Sequence, residues 1–141
     1  MIGIIVLGHS HFGEEMLNII SSMESVQRNI AYVDYRKKEG DTPEAFAERV
    51  RQAAGALEPN TQGILIFTDS ARGTPYKTAL HFAETCSQCP VITVTGTNLP
   101  GLIETAMARM YISDIEVLAD LAVEHGKKQI MRFGGAMPIP R

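Results

Sequence analysis

Short apolar runs alternate along this chain with longer stretches in which apolar residues recur at helical spacing. The runs predict strands at residues 2–7, 30–35, 63–68 and 91–94. In the first and third runs apolar and polar residues do not alternate. That pattern is typical of strands in a parallel sheet that is covered on both faces.

The stretches between these runs predict five helices, at about 14–25, 43–57, 76–85, 101–110 and 114–125. Polar residues with capping side chains precede the second and fifth helices: Asp41 or Thr42, and Ser113 or Asp114. Gly126 predicts the end of the fifth helix.

This alternation of strands and helices predicts an α/β fold, a three-layer doubly wound and mainly parallel sheet with strand order 2-1-3-4. Residues 129–133 follow two consecutive helices and have strand character with several polar residues. They predict an edge strand, of the kind that pairs with a second chain in a dimer. Residues 134–141 contain two glycines and two prolines and predict a flexible C-terminal tail, so the domain is expected at 1–133.

Composition narrows the class of protein. A chain of 141 residues with 45% apolar and 21% charged residues fits one globular domain. The formal net charge is −3 and the basic residues are dispersed, which argues against a nucleic-acid partner. No apolar run approaches a membrane span, and the first run is too short for a signal peptide, so a cytoplasmic protein is expected.

The chain has two cysteines, Cys86 and Cys89, in the motif CSQC. A redox pair usually opens a helix after a strand, whereas this motif closes a predicted helix. No second pair is present to complete a zinc site. We interpret the cysteines as structural residues.

Candidate chemistry follows two of the predicted strands. His9 and His11 come after the first strand and Asp69 comes after the third. If strands one and three are neighbours, their carboxyl ends bring His9 or His11 beside Asp69, where ligand sites of such sheets lie. A carboxylate beside a histidine fixes its tautomer and leaves the second ring nitrogen free to act as base, metal ligand or nucleophile.

The loop after Asp69 predicts an anion site at a helix start. Backbone N–H groups around Ser70 and Gly73, the helix dipole and the Thr74 hydroxyl suit a phosphate, and Arg72 adds a positive charge. Each of these features alone is usually structural, and their joint placement indicates a functional site.

Three segments, in order along the chain, carry a family resemblance: GHSHFGEEML, IFTDSARGTPYKTAL and GTNLPGLIETAMAR. They resemble the motifs of the enzyme IIA components of the mannose/fructose/sorbose-type sugar phosphotransferase system. The resemblance covers Ile2 to about Phe133. The chain differs from the usual motifs at Ser10 and Arg72, where the family has glycine, and at Ala71.

The resemblance implies a phosphocarrier, a phosphotransferase component without a cofactor. His9 matches the phosphorylated histidine, Asp69 the aspartate that orients it, and Thr74 a hydroxyl residue near the phosphoryl group. HPr would be the donor, and a IIB component the acceptor. The family is typically a homodimer with an exchanged C-terminal strand, and it reaches the membrane only through a permease. The rim that would meet partners comprises Ser10, His11, Phe12, Asn98 and Pro100.

Other functions remain open at the level of sequence. The domain could be a regulatory phosphoprotein without a role in sugar uptake. A receiver-like domain would be phosphorylated on Asp69, but it needs an acidic pair after the first strand, where this chain has histidines.

A metal site could use His9, His11 and Asp69, although no further ligand is evident and we predict no metal. A nucleotide-binding module would need a glycine fingerprint that is missing after strand one.

Overall fold

The computed structural model describes residues 1–23 and 26–136. Its sheet has four parallel strands: β1 (Gly3–His9), β2 (Ile30–Tyr35), β3 (Ile64–Thr68) and β4 (Val91–Val94). Their order is β2-β1-β3-β4, which confirms the predicted α/β fold and strand order.

The described residues also form five α-helices and a short 3₁₀ helix, of which α4 and α5 follow the last strand. They are α1 (Phe12–Ile20), the 3₁₀ helix (Lys37–Glu39), α2 (Pro43–Gly55), α3 (Gly73–Thr85), α4 (Leu99–Ala108) and α5 (Ile115–Lys128). The Thr42 side chain caps α2 and the Asp114 side chain caps α5, in line with the predicted alternatives. No helix of the described ranges is long and apolar enough to cross a membrane.

Several predicted helix boundaries were wrong. The helix α1 begins two residues early, at Phe12, and ends at Ile20; the predicted end near Ser25 lies outside the described residues. The helix α4 begins at Leu99 because Asn98 caps it through a hydrogen bond from the Gly101 N–H.

Gly126 does not end α5, which continues to Lys128. A Cβ atom on Gly101 would lie 3.1 Å from the Gly126 Cα, so the two helices pack closely at this pair of glycines. The Asn98 Nδ2 also donates to the Gly126 carbonyl. Gly126 therefore serves the packing of α5 against α4 rather than a helix stop.

The predicted fifth strand does not form within the single chain. Residues 129–133 follow α5 without joining the sheet. Their apolar side chains project from the domain, with Ile130 79% and Phe133 54% exposed. The described part of the chain leaves most of this apolar surface uncovered, so the segment lacks the packing that would hold it as a strand. The predicted tail lies outside the described residues from 137 onward.

The sheet has a hydrophobic core on each face. Alternate residues of β1 point to opposite faces, so that Ile4 and Val6 join the core under α1, α4 and α5, whereas Ile5 and Leu7 join the core under α2 and α3. This burial on both faces explains the absence of polar residues from β1 before its end.

A buried cation joins the start of the sheet to α4. Arg109 follows α4 and is only 4% exposed. Its guanidinium donates to backbone carbonyl oxygens of Ile2, Val26, Arg28, Asn29 and Ala106. Burial lowers the pKa of Arg109 to about 10, which still leaves it charged at neutral pH.

Candidate active site at the carboxyl ends of β1 and β3

His9 and Asp69 meet at the carboxyl edge of the sheet. His9 is the last residue of β1, and Asp69 directly follows the neighbouring strand β3. The His9 Nδ1 lies 2.9 Å from the Asp69 Oδ2. Of the two histidines considered from the sequence, His9 is therefore the one beside the carboxylate.

The hydrogen bonds of Asp69 determine which nitrogen of His9 faces outward. Its Oδ2 also accepts the backbone N–H of His9 at 2.9 Å, and its Oδ1 accepts the N–H of Ser70 at 2.9 Å. A carboxylate that accepts these bonds is best satisfied by a proton on the His9 Nδ1. The Nε2 atom then carries a lone pair, and the His9 side chain is 46% exposed whereas that of Asp69 is 16% exposed.

Gly73 brings the start of α3 against the outward nitrogen. A Cβ atom on residue 73 would lie 2.7 Å from the His9 Nε2 and 3.0 Å from its Cε1. The φ angle of Gly73 is +82°, a left-handed conformation that glycine adopts without strain. No side chain caps α3, so the first N–H groups of this helix are available to an anion near Nε2.

The residues predicted to bind phosphate occupy this same loop and helix start. The Ser70 hydroxyl donates to the Arg72 carbonyl at 3.3 Å, and Thr74 lies in the first turn of α3. The Arg72 side chain is exposed. From the neighbouring loop, the Thr97 hydroxyl donates to the Thr68 carbonyl at 2.8 Å and braces the end of β3.

The predicted rim residues have separate environments. His11 directs its Nδ1 to the Glu14 Oε2 at 2.9 Å rather than toward Asp69. Phe12 packs against the hydrophobic core, and a Cβ atom on Gly8 would lie 2.6 Å from it. His9, His11 and Asp69 therefore do not converge on one point, and no cluster of three or more possible metal ligands occurs among residues 1–23 and 26–136.

Two further rim residues, Asn98 and Pro100, lie at the start of α4. Asn98 uses its side chain as a cap and as a donor to α5, and Pro100 is exposed in the first turn. Both follow β4, so they share the carboxyl edge of the sheet with His9.

Three site neighbours in and after β2 were missed by the sequence analysis. The Tyr35 ring stands edge-on to the His9 ring, with centroids 6.5 Å apart. The Asp34 carboxylate, on β2, accepts hydrogen bonds from the N–H groups of Gly13 and Glu14 and so caps the start of α1. Desolvation raises the pKa of the Asp34 carboxyl. An aspartate within the apolar β2 run was the one available signal of this arrangement.

The third neighbour, Arg36, follows β2 and contacts the chain directly after His9. Its Nε donates to the Ser10 carbonyl at 3.3 Å, and its Nη2 lies 2.9 Å from the Glu14 Oε2. No motif in the sequence links position 36 to position 10, since the contact depends on the pairing of β1 with β2.

The two cysteines lie at the other end of α3 from Gly73. Cys86 and Cys89 are free, half-buried thiols that line a cavity of about 590 Å³ between α2 and α3. Burial is the main cause that raises the pKa of Cys89, which lowers its reactivity as a thiolate. Neither His9 nor Asp69 lines this cavity, and we assign the candidate chemistry to His9 on the basis of its hydrogen bond to Asp69.

Comparison with known proteins places this geometry in context. Residues 3–122 match the model of the EIIA-man family, the PTS system fructose IIA component. Over 129 residues the chain is 28% identical to the PTS system mannose-specific EIIAB component of Escherichia coli K12 and to that of Shigella flexneri. The match covers 92% of this chain, and the chain spans 38% of the length of these curated relatives.

Solved structures share the fold. The EIIA component from Streptococcus agalactiae superposes with a TM-score of 0.82 at 19% identity, covering 94% of this chain and 97% of that one. The mannose/sorbose-specific IIA subunit from Enterococcus faecalis gives a TM-score of 0.76 at 20% identity, covering 96% and 97%.

Proposed function

The chain belongs to the EIIA-man family of sugar phosphotransferase-system IIA components, and from that membership we propose that it carries a phosphoryl group on His9. In this proposal the donor is phospho-HPr and the acceptor is a IIB component. The protein acts in the cytoplasm and reaches the membrane only through a permease.

One observation carries the proposal: the His9–Asp69 pair directs Nε2 toward the uncapped start of α3. The 2.9 Å bond from Nδ1 to Asp69 leaves the Nε2 lone pair free to attack. The close approach of Gly73 sets the α3 N–H groups beside the nitrogen that would carry the phosphoryl group. Those N–H groups and the helix dipole stabilise negative charge there.

The proposed step is an in-line exchange between two nitrogen atoms. As the lone pair of the His9 Nε2 forms its bond to phosphorus, the P–N bond of the donor breaks and its electron pair returns to the donor. No proton has to move on His9, because the proton stays on Nδ1, where it is hydrogen-bonded to Asp69. Asp69 offsets the positive charge that develops on the ring. In the second transfer, a cysteine or histidine of IIB forms the new bond to phosphorus, the P–N bond at His9 breaks, and its electron pair returns to Nε2.

The geometry argues against phosphorylation of Asp69 itself. Both of its oxygens already accept hydrogen bonds, from His9 and from Ser70. An aspartyl acceptor would lose these bonds on reaction, which favours the orienting role.

The proposal also includes a homodimer. The exposed apolar side chains of Ile130, Met131 and Phe133 support a partner chain at the 129–133 segment. Sedimentation equilibrium of the whole chain measures this state, and a monomer at high concentration contradicts it.

The test of the phosphocarrier is radiolabelling with phosphoenolpyruvate, enzyme I and HPr. We expect an acid-labile, alkali-stable phosphate on the wild-type protein. His9→Ala should abolish the label, and His11→Ala is the matched control that should retain it. A label that survives His9→Ala, or a base-labile label on Asp69, contradicts the proposal.

A further inference from the structure

Ser10, directly after His9, has a backbone conformation that serine rarely adopts. Its φ angle is +59°, in the left-handed region where the side chain crowds the backbone. In residues 1–23 and 26–136, Asn29 is the other non-glycine residue with positive φ. A serine stays in this region only when surrounding contacts hold it there.

Two contacts from the end of β2 hold Ser10. Its N–H donates to the Tyr35 carbonyl at 3.0 Å, which continues the pairing of β1 with β2. Its carbonyl accepts the Nε–H of Arg36 at 3.3 Å. Because the first bond is between backbone groups, Arg36 supplies the side-chain contact that depends on sequence.

Arg36 is itself fixed in place. Its Nη2 lies 2.9 Å from the Glu14 Oε2, which also accepts from the His11 Nδ1 at 2.9 Å. The hydrogen bond from His11 and, more weakly, the charge of Arg36 lower the pKa of Glu14 against the opposing effect of desolvation, so Glu14 is ionised at neutral pH. The Nε and Nη2 atoms of the guanidinium thus bind Ser10 and Glu14 rather than a ligand at His9.

We infer that Arg36 is a positioning residue: it holds Ser10 in the left-handed conformation and thereby fixes the direction of the His9 ring. This inference rests on the proposed function of His9. A glycine at position 10 adopts positive φ without strain and would not need the contact. Arg36 and Ser10 are therefore expected to be coupled.

The experiment is a double-mutant cycle with Arg36→Ala, Ser10→Gly and the combined variant. The rate measured is the initial phosphorylation of His9 by phospho-HPr. We expect Arg36→Ala to lower it about tenfold, and the combined variant to stay within about twofold of Ser10→Gly alone. Equal losses in both backgrounds would overturn the inference, because they would show that Arg36 acts through its charge on the phosphoryl group or the donor.

Two further variants separate positioning from charge. Arg36→Lys keeps the positive charge but its single ammonium group lacks the planar fork that spans Ser10 and Glu14, so we expect a loss close to that of alanine. A rate equal to that of the wild type in Arg36→Lys would overturn the inference. Arg51→Ala is the matched control, since it removes an exposed arginine that pairs with Glu48 on α2, and we expect no change in rate.

Nuclear magnetic resonance of the His9 ring tests the inference independently of phosphoryl transfer. The Nδ1–H bonded to Asp69 should give a protected proton signal in the wild type, lose protection in Arg36→Ala and regain it in the combined variant. An unchanged signal in Arg36→Ala overturns the positioning role. If the wild type accepts no phosphate while this pattern holds, the proposed function fails and the positioning role stands.

Discussion

Replacing Gly73 with alanine is expected to slow phosphoryl transfer about 100-fold while the protein stays folded. The new Cβ atom would lie 2.7 Å from the His9 Nε2 and 3.0 Å from its Cε1. Non-bonded heavy atoms settle at about 3.5 Å, so the ring or the start of α3 must move by roughly 0.5–1 Å. Such a displacement at a reacting atom can lower a rate by about 100-fold.

The substitution also has a backbone cost that must be separated from the contact with His9. At φ +82° an alanine should destabilise the fold by about 1–2 kcal/mol. Gly40 offers a matched control, because its φ is +85° and no atom lies within 4 Å of a Cβ built there. Gly40→Ala should therefore show a similar loss of stability without the loss of transfer.

Two measurements decide between these effects. Rapid-quench phosphorylation by phospho-HPr gives the rate, and urea unfolding gives the stability of each variant. If Gly73→Ala transfers at the wild-type rate, or if Gly40→Ala is slowed to the same extent, the contact of Gly73 with Nε2 has no role in transfer.

Two predictions concern stability. The Arg49 Nη2 lies 2.6 Å from the Asp41 Oδ2, and its hydrogen bond lowers the pKa of Asp41 to about 2. The pair therefore stabilises the fold at pH values above the ordinary pKa of a carboxyl group, and this contribution is lost as the pH falls toward 2. Asp41→Asn should lower the free energy of unfolding by about 1 kcal/mol at pH 7, since Arg49 is partly exposed and solvent screens the pair. Urea unfolding should show that the difference from the wild type vanishes near pH 2. A difference that stays constant with pH contradicts this prediction. Arg109→Met leaves several buried carbonyl groups without donors and should lower the free energy of unfolding by about 2–4 kcal/mol in the same assay at pH 7. A loss below about 0.5 kcal/mol refutes the stabilising role of the Arg109 hydrogen bonds.

The sequence was sufficient to predict the sheet and the meeting of a histidine, His9 or His11, with Asp69. Both predictions depend on local signals: apolar runs that mark strands buried on both faces, and polar residues directly after two of them. Once the strand order places β1 beside β3, the geometry of a parallel sheet brings their carboxyl ends together.

The remaining site features depend on contacts between distant segments. Asp34 caps α1 from β2, and Arg36 reaches Ser10 across 26 positions of the chain. Neither contact has a spacing rule, because each is created by the pairing of β2 with β1. The extent of α5 was missed for a similar reason, since Gly126 is a packing position against Gly101 and its role as a helix stop could be excluded only from the packed helices.

The exposure of the two central residues bears on the kind of substrate that this site suits. Asp69 is mostly buried at 16% exposure, and its hydrogen bonds keep the charge fixed behind the ring. His9 is 46% exposed, at a strand end rather than at the base of a cleft. A small substrate is usually enclosed on most of its surface. The partial exposure of His9, with Asp69 bonded to its inner side, therefore supports the proposal that the phosphoryl group arrives on another protein, whose own surface completes the site.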